Sequence, residues 1–288
     1  NKLIHKVSTT DNIGLIELKK YLINYNYNIY RKDSNVFRFF IDRVFTSKGF
    51  GSIVTGTVLS GKAKVGEKLK ILPQNKEIKI RGLETHKHVV NELKIGDRGA
   101  INIQSIDKIS VKKGNHLSEI NFYSTYESAI VSIKLLNRFK KTIKNNERLR
   151  IYCGTQEFMG RIQLFNTKEL QPNEETAGLF KFERPVVLSI GDKFIIRKYS
   201  PLITIGGGEI LEFSIYTKWK DNKKYIAELY SSKDKYERLC LIIASRTINP
   251  FNYETLGSYL NISNDLLKIN INKMNNIIII NHKWILTE

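Results

Sequence analysis

Histidine and cysteine side chains are the groups in this sequence that could ligate a metal or act as nucleophiles. The five histidines are His5, His86, His88, His116 and His282. Only His86 and His88 are closely spaced, and as i and i+2 they would share one face of a strand. No cysteine or carboxylate cluster lies beside them in the sequence, which argues against a zinc site. Two cysteines, Cys153 and Cys240, are too few for a disulfide framework or a four-thiolate site. No GxSxG, HExxH or Cys–His motif occurs, so the sequence predicts no catalytic constellation of its own.

Two glycine-rich segments superficially resemble nucleotide-binding loops. Gly49, Gly51 and Gly56 do not form the dinucleotide fingerprint, because the third glycine is too far along and no helical pattern follows. Residues 206–208 are three glycines followed by Glu209, where a phosphate-binding P-loop would have Lys-Ser or Lys-Thr. We therefore expect both segments to serve the backbone, through positive φ angles at turns or a bulge that bends a barrel strand.

The charge of the chain is strongly positive and unevenly distributed. Its 288 residues include 47 Lys and Arg against 28 Asp and Glu, a formal net charge of +19. Residues 1–36 contribute +3, residues 37–212 contribute +12 and residues 213–288 contribute +4. A polyanion such as nucleic acid is the partner that this balance favours, because Lys and Arg neutralise phosphates and release counterions. The alternative is compositional bias, since the chain is rich in Lys, Asn and Ile and has 34 Lys against 13 Arg.

The spacing of apolar residues predicts a mainly β fold, with two consecutive antiparallel β-barrels followed by an α/β winged-helix domain. The predicted domains are a helical segment with a linker at 1–36, barrels at 37–120 and 121–212, and the winged helix at 213–288. Short β-type runs with a turn glycine about every 8–12 residues favour closed barrels. In the second barrel we expect strands at 129–136, 149–152, 158–164, 177–182, 186–188 and 194–197.

Helical spacing returns at both ends of the sequence. Leu15, Leu18, Tyr21 and Leu22 predict a helix near the start, which Ser8 to Asp11 would cap. After residue 211 we expect four short helices at 225–230, 235–244, 253–260 and 264–274, and a hairpin from 277 to 286 in which Trp284 anchors the wing. The longest apolar run has four residues, far short of the roughly 20 that span a bilayer. With no leader pattern either, we expect a reduced, cytoplasmic protein that does not contact a membrane.

Specific stretches resemble the translational GTPase superfamily. Residues 37–61, FRFFIDRVFTSKGFGSIVTGTVLSG, are similar to the start of that superfamily's second domain, and VGEKLKIL at 65–72 continues the match. GDKFIIRKYSPLITIGGGEIL at 191–211 resembles the end of the third domain in the selenocysteine-specific, SelB-type elongation factors. The Tyr-Ser-Pro and Thr-Ile-Gly-Gly-Gly motifs carry that resemblance, which implies delivery of selenocysteinyl-tRNA to the ribosome at recoded UGA codons.

The resemblance also interprets the first residues and the missing motifs. Residues 1–36 are similar to the last strand, loop and helix of a GTP-binding domain, and Ser8 and Thr9 match the guanine-contacting loop. The family implies GTP and Mg²⁺, but the sequence lacks the P-loop, the Mg²⁺-binding threonine, the switch histidine and the Asn-Lys-x-Asp motif, so we expect little nucleotide binding here. Because the first residue is Asn1, we expect a piece of a longer protein. The family's mRNA hairpin would be bound by further C-terminal winged helices.

The resemblance implies an aminoacyl pocket in the first barrel, at Asp42, Arg43, His86 and Arg98. Selenocysteine is an anion at neutral pH, whereas serine is not, so a cationic pocket could separate the two by charge. The alternative for Asp42 and Arg43 is a surface ion pair, and for Arg98 a solvated turn residue.

The tRNA backbone would lie across basic residues of both barrels, without sequence readout. The candidates are Lys48, Arg148, Arg150, Arg197 and Lys198. A solvated surface is the alternative for each of them. The partners implied are selenocysteinyl-tRNA and the ribosome, and we expect a monomer. Other readings are a stand-alone RNA-binding module, a translational GTPase of other specificity and a winged-helix DNA-binding regulator.

Overall fold

The computed structural model describes residues 4–25, 33–47, 51–105, 111–137, 141–213, 222–246, 250–274, 277–280 and 284–287. These residues belong to two compact units, Asn1–Lys32 and Asp33–Glu288. The small unit contains the predicted helix, α1 (Leu15–Asn24), after a tight turn closed by the Ser8–Ile13 bridge. Gly14 precedes the helix at φ 69°, a left-handed conformation that suits glycine. No side chain caps this helix, so the cap expected from Ser8 to Asp11 was wrong. None of the helices in the described ranges is long and apolar enough to cross a bilayer.

The first barrel of the large unit is a closed ring of six strands with three short additions. Its strands are β1 (Arg38–Ser47), β2 (Gly51–Ser60), β3 (Lys62–Lys64), β4 (Lys68–Leu72), β5 (Lys76–Thr85), β6 (His88–Val90), β7 (Glu92–Lys94), β8 (Arg98–Ser105) and β9 (His116–Ser118). The ring runs β4-β9-β1-β2-β8-β5 and closes through β5–β4, while β6 extends β5 and β3 pairs with β7. Core and surface residues alternate along the strands, as on β5, where Ile78 and Ile80 point into the core and Lys79 points outward.

The second barrel is also a closed ring of six strands. Its strands are β10 (Thr125–Leu135), β11 (Ile143–Lys144), β12 (Arg148–Cys153), β13 (Gln156–Leu164), β14 (Glu169–Leu170), β15 (Glu175–Val187), β16 (Lys193–Lys198) and β17 (Thr204–Phe213). The ring runs β10-β15-β13-β12-β16-β17, and β11 pairs with β14. The two predicted strands at 177–182 and 186–188 are one strand here, because a register shift opposite Tyr126 and Ser128 lets β15 continue through its polar segment.

The three glycines of β17 serve close packing, which corrects one of the two backbone roles expected from the sequence. None of residues 206–208 has a positive φ. A Cβ at Gly206 would lie 2.2 Å from the Lys134 carbonyl oxygen, and a Cβ at Gly208 would lie 1.8 Å from that of Ser132. Only glycine therefore lets β17 approach β10 this closely.

The two barrels are joined by a buried ion pair. Arg38 on β1 donates two hydrogen bonds of 2.7 Å to the carboxylate of Asp192, and its guanidinium lies 4.7 Å from the ring centroid of Phe40. The Arg38 side chain is 6% exposed and that of Asp192 is 15% exposed. Burial alone lowers the pKa of Arg38, but Asp192 raises it above its usual value, so Arg38 stays charged. The thiol of Cys153 also donates to Asp192, at 3.8 Å.

The chain continues from β17 into a region of helices and a small sheet. Its elements are α2 (Lys223–Ser231), α3 (Lys235–Ala244), β18 (Phe251–Asn252), α4 (Tyr253–Leu260), α5 (Asn264–Ile271), β19 (Ile277–Ile280) and β20 (Trp284–Thr287). The four predicted helices are all present, and β18 adds a third strand to the predicted hairpin, in the order β18-β20-β19. Asp234, Asn252 and Ser263 cap α3, α4 and α5 with their side chains. The winged-helix assignment stays a prediction, and the Trp284 side chain lies outside the described residues.

These helices are attached to the second barrel through a buried carboxylate. Glu212 on β17 is 0% exposed and accepts hydrogen bonds from the hydroxyls of Tyr225 on α2 and Tyr259 on α4, at 2.5 and 3.0 Å. Arg246, at the end of α3, lies 3.7 Å away. Burial raises the pKa of Glu212, while Tyr225, Arg246 and Tyr259 oppose that rise. The three helices therefore share one polar anchor on the last strand of the barrel.

Candidate functional site

Strands β1 and β8 and the turn between β5 and β6 bring the predicted pocket residues to one end of the first barrel. On β1 the pairing register shifts between Ile41 and Arg43, so Asp42 is the extra residue of a bulge. The shift matters because a bulge re-aims the side chains around it. Arg43 pairs with Thr55 on β2, and Arg98 is the first residue of β8, paired with Thr57. The bulge on β1 thus places the carboxylate of Asp42 beside two arginines, Arg43 on the same strand and Arg98 at the start of β8.

Asp42 is held by two hydrogen bonds. Arg98 Nη1 donates to Asp42 Oδ2 at 2.6 Å, and the Thr55 hydroxyl donates to Asp42 Oδ1 at 2.8 Å. Partial burial alone would raise the pKa of this carboxyl, but the bonds from Arg98 and Thr55 and the charges of Arg98 and Arg43 lower it below 3.8. Asp42 is therefore ionised at neutral pH and fixes the direction of Arg98.

Arg98 keeps donors available for a further ligand. Its side chain is 56% exposed, against 23% for that of Asp42. The described hydrogen bond to Asp42 uses only Nη1, which leaves the N–H groups of Nε and Nη2 for another acceptor. Arg43 is exposed next to the same carboxylate. The end of the barrel thus has two cations for one fixed anion.

His86 lies at this end too, but not on a strand as its spacing with His88 suggested. His86 and Lys87 have φ angles of 50° and 68° and form the turn between β5 and β6, so His86 and His88 do not share a strand face. The Thr85 hydroxyl donates to the Arg98 carbonyl oxygen at 2.8 Å and lies 3.1 Å from His86 Nδ1. Because the threonine proton is used, Nδ1 of His86 is the donor in this contact, which in the neutral imidazole leaves Nε2 as the acceptor.

The structure thus brings all four predicted pocket residues to the same end of the barrel and adds two threonines that the sequence reading missed. Thr55 orients Asp42, and Thr85 connects His86 to the backbone of Arg98. A sequence signal for Thr55 existed, since it alternates with the core residue Val54 and so had to point outward. The partner of Thr85 depends on the β5–β8 pairing and had no local signal.

Two of the basic residues predicted on the second barrel are already paired with carboxylates. Arg148 on β12 forms two hydrogen bonds with Glu183, at 2.5 and 2.8 Å, and Arg150 forms an ion pair with Glu157. The Arg148 guanidinium also lies 4.7 Å from the ring centroid of Tyr199. The hydrogen bond from Arg148 lowers the pKa of Glu183. These arginines have less donor capacity left than Arg98.

Arg197 and Lys198 lie next to this pair of arginines, on β16. Arg150 and Arg197 are direct cross-strand partners, as are Leu149 and Lys198. Arg197 donates to the Leu202 carbonyl oxygen at 3.0 Å and lies 5.7 Å from the ring centroid of Tyr152. Three of the five predicted backbone-contacting residues, Arg148, Arg150 and Arg197, therefore share the outer face of the second barrel. Lys198 is paired with the core residue Leu149 and does not share that face, and Lys48 lies outside the described residues.

The described residues do not fit the GTP and Mg²⁺ that the resemblance implies. The Ser8 hydroxyl donates to Asp11 at 2.7 Å and accepts from the Asp11 amide at 3.2 Å, so it is committed to its own turn, and Thr9 is exposed beside it. No group of three or more His, Cys, Asp or Glu side chains within the described ranges could hold a metal ion.

Comparison with known proteins defines the class. The family model for elongation factor Tu domain 2 matches residues 51–118, which cover most of the first barrel. The β-barrel domain model of selenocysteine-specific elongation factors matches residues 130–215 in the second. Tandem closed barrels matched in this order are those of a translation elongation factor. The chain belongs to the selenocysteine-specific, SelB-type family of these factors.

Individual relatives agree with that assignment. The selenocysteine-specific elongation factor of Desulfomicrobium baculatum is 30% identical over 207 residues, covering 71% of this chain and 32% of the relative. That of Methanocaldococcus jannaschii is 30% identical over 269 residues, covering 83% and 57%. The crystal structure of Methanococcus maripaludis SelB in complex with the GTP analogue GPPNHP has a TM-score of 0.64 and 28% identity, covering 74% of this chain and 52% of that one. The chain thus spans about a third to just over half of the length of these relatives.

Proposed function

We propose that this chain is the tRNA-binding body of a selenocysteine-specific elongation factor, which delivers selenocysteinyl-tRNA to the ribosome at recoded UGA codons. The observation that carries the proposal is the cluster of Asp42, Arg98 and Thr55 beside Arg43, in a barrel of a chain of the SelB type. The aminoacyl end of the tRNA would enter this end of the first barrel. The site of action would be the cytoplasm, where ribosomes translate.

Charge selection follows from the geometry of the cluster. Asp42 holds one edge of the Arg98 guanidinium, so the remaining N–H donors keep a fixed direction without a bound ligand. A selenolate brings the negative charge that Arg98 and Arg43 lack, since Asp42 balances only one of them. A serine hydroxyl would leave those donors without an anion, and unmatched charged donors are costly to desolvate. Asp42 is a positioning residue here, and Arg98 and Arg43 would contact the cargo.

His86 would add a neutral acceptor at the rim of the pocket. Its Nδ1 proton is directed to Thr85, so Nε2 is left to accept a hydrogen bond from the aminoacyl group or the terminal ribose. This tautomer follows from the bond that Thr85 donates to the Arg98 carbonyl oxygen. Thr85 therefore couples the orientation of His86 to the strand that carries Arg98.

The tRNA body would lie along the face of the second barrel that carries Arg148, Arg150 and Arg197, with Lys198 at the end of β16 beside it. Contacts to phosphates position a nucleic acid and do not read its sequence. Arg148 and Arg150 would have to share their donors with Glu183 and Glu157, so Arg197 and Lys198 would bind phosphates more readily. GTP, Mg²⁺ and an mRNA hairpin would be handled by parts of the factor other than these residues.

The test compares two cargoes on the same tRNA. Binding of selenocysteinyl-tRNA and seryl-tRNA to the chain is measured at fixed salt, and we expect the selenocysteinyl form to bind more tightly. Arg98→Ala should reduce the ratio of the two affinities by roughly 10–100-fold, since a hydrogen bond to a charged group is worth about 1.5–3 kcal/mol. Lys62→Ala, which removes an exposed cation from β3 of the same barrel, is the matched control and should keep the ratio. Equal affinities for both cargoes in the unaltered chain would refute charge selection.

A further inference from the structure

The outer face of β4 and β5 in the first barrel places like charges directly opposite each other. Lys68 on β4 and Lys79 on β5 are cross-strand partners, and both are exposed. Lys70 lies on the same outer side of β4, and Arg81 follows Lys79 on β5. We call these four residues the lysine face. Like charges in directly opposed positions destabilise a sheet, and this pair has two further cations beside it on the same strands.

Carboxylates compensate this face only in part. Glu77 lies 3.8 Å from Lys68 and pairs in register with Lys70. Within the part of the chain that the structure describes, neither Lys79 nor Arg81 has an ion-pair partner. Four cations therefore face solvent with one carboxylate among them.

A cleft adjoins the lysine face at Lys70. Its volume is about 390 Å³, and its polar lining includes Lys70, Asn75, Asn121, Ser124 and Thr125. Amide and hydroxyl groups of this kind donate hydrogen bonds to phosphate oxygens and accept them from ribose hydroxyls. On the other side, Lys79 pairs with Gln104 on β8, which adds a further amide. Cationic side chains and neutral hydrogen-bond donors thus extend from the cleft across β4, β5 and β8.

We propose that the lysine face and this cleft bind the sugar–phosphate backbone of an RNA duplex. Neither β4 nor β5 contains an aromatic residue, and the stacking platforms that hold single-stranded RNA are therefore absent from these two strands. The cleft is lined by one aromatic residue, Tyr123, but that residue is only 6% exposed. The lack of an exposed aromatic anchor on β4, on β5 and in the cleft disfavours a protein partner, whose binding energy concentrates on such residues. Contact through the backbone alone is the mode that suits a duplex.

This surface is separate from the proposed aminoacyl pocket. Lys79 precedes Thr85 by six residues on β5, a separation of about 20 Å along a strand. The duplex would therefore be bound at the opposite end of the barrel from Arg98. The inference goes beyond the proposed function and does not require it, because it depends only on charge, the cleft and strand register.

The test uses the 288-residue chain and a fluorescent RNA duplex of mixed sequence, with anisotropy measured over a salt series. Lys68→Gln with Lys79→Gln should weaken binding about tenfold and reduce the slope of log K against log salt by about 2, the value for two phosphate contacts. Lys62→Gln with Lys94→Gln is the matched control. Those lysines are also an opposed, exposed pair in the first barrel, on β3 and β7. A carboxylate, Glu92, lies two residues before Lys94 on β7 and forms an ion pair with Lys64. The control should keep the affinity, and equal losses in both variants would overturn the proposal, because net charge alone would then explain the binding.

Two further measurements separate the remaining explanations. The melting midpoint of the Lys68 and Lys79 variant should match or exceed that of the unaltered chain, because a repulsive pair is removed. Lys70→Gln alone should weaken binding of the duplex about threefold. Poly-glutamate at equal charge should compete poorly, and efficient competition would overturn the assignment to RNA. Arg98→Ala should bind the duplex normally while losing cargo discrimination, so this proposal and the proposed function can fail independently. An equal loss of duplex binding in Arg98→Ala would overturn the separate surface.

Discussion

The junction between the barrels contains one arginine–aspartate pair, and the end of the first barrel that carries Asp42 and Arg98 contains another. We call that end of the first barrel the open end. The two pairs differ in their surroundings. At the junction, Arg38 gives two hydrogen bonds to Asp192 and is 6% exposed. At the open end, Arg98 gives one hydrogen bond to Asp42 and is 56% exposed. A buried pair cannot lose a partner without leaving a charge in a dry environment, whereas an exposed one can exchange partners. The first pair therefore stabilises the assembly of barrels, and the second is suited to binding.

The second barrel shows an intermediate case. Arg148 is exposed like Arg98, but it uses two of its nitrogens on Glu183 and lies against Tyr199. Exposure and positive charge therefore do not by themselves identify a ligand-binding arginine. The number of donors left after the internal hydrogen bonds are formed distinguishes Arg98 from Arg148.

The largest difference should come from removing the two arginines in turn. Arg38→Ala leaves Asp192 buried without its cation, and we expect a loss of about 3–5 kcal/mol in the free energy of unfolding. Arg98→Ala removes an exposed pair, and we expect a change within about 1 kcal/mol. Chemical denaturation of both variants measures this. Similar losses in the two variants would mean that the contrast between the junction and the open end is wrong.

The barrels themselves were predictable, because alternation of core and surface residues and the spacing of turn glycines are local signals. The segment between residues 182 and 186 read as a break between two strands, yet β15 continues through it, since β10 pairs with Lys181 before this segment and with Val186 and Val187 after it. His86 read as a strand residue because nothing local marks a turn formed by two non-glycine residues with positive φ. Such outcomes depend on partners distant in sequence.

The candidate site also has parts that the sequence could indicate and parts that it could not. The resemblance supplied Asp42, Arg43, His86 and Arg98, and the structure brings them to one end of the barrel. The sequence could not indicate that Arg148 would be occupied by Glu183, because the two residues are 35 positions apart and meet only after strands β12, β13 and β15 are aligned in the sheet. Positive charge is visible in a sequence, but free donor capacity is a property of the fold.

A smaller effect should follow from freeing Arg148. Glu183→Gln removes the carboxylate that is paired with Arg148. The Arg148 guanidinium could then donate to a phosphate, and one negative charge that repels phosphates would be gone. We expect tRNA affinity to rise about threefold at low salt and the gain to disappear at high salt, where exposed charges are screened. Glu127→Gln, at an exposed glutamate of the same barrel, is the control and should change affinity less. Weaker binding by Glu183→Gln would show that the ion pair itself is needed for the surface.

The smallest expected change tests whether the open-end pair persists in solution. Arg98 contributes to the lowered pKa of Asp42, so Arg98→Ala should raise that pKa toward its ordinary value, while Thr55 and Arg43 keep part of the lowering. A folded pKa below the unfolded one adds stability that is present above about pH 4 and is lost as the pH falls through the folded value. The carboxyl carbon resonance of Asp42, followed by NMR through acid titration, measures the pKa directly, with Arg81→Ala as the control. If Asp42 titrates identically in Arg98→Ala and the unaltered chain, the pair is not formed in solution. Asp42 could not then orient Arg98 for an anionic cargo, and the distinction between Arg98 and Arg148 would lose its physical basis.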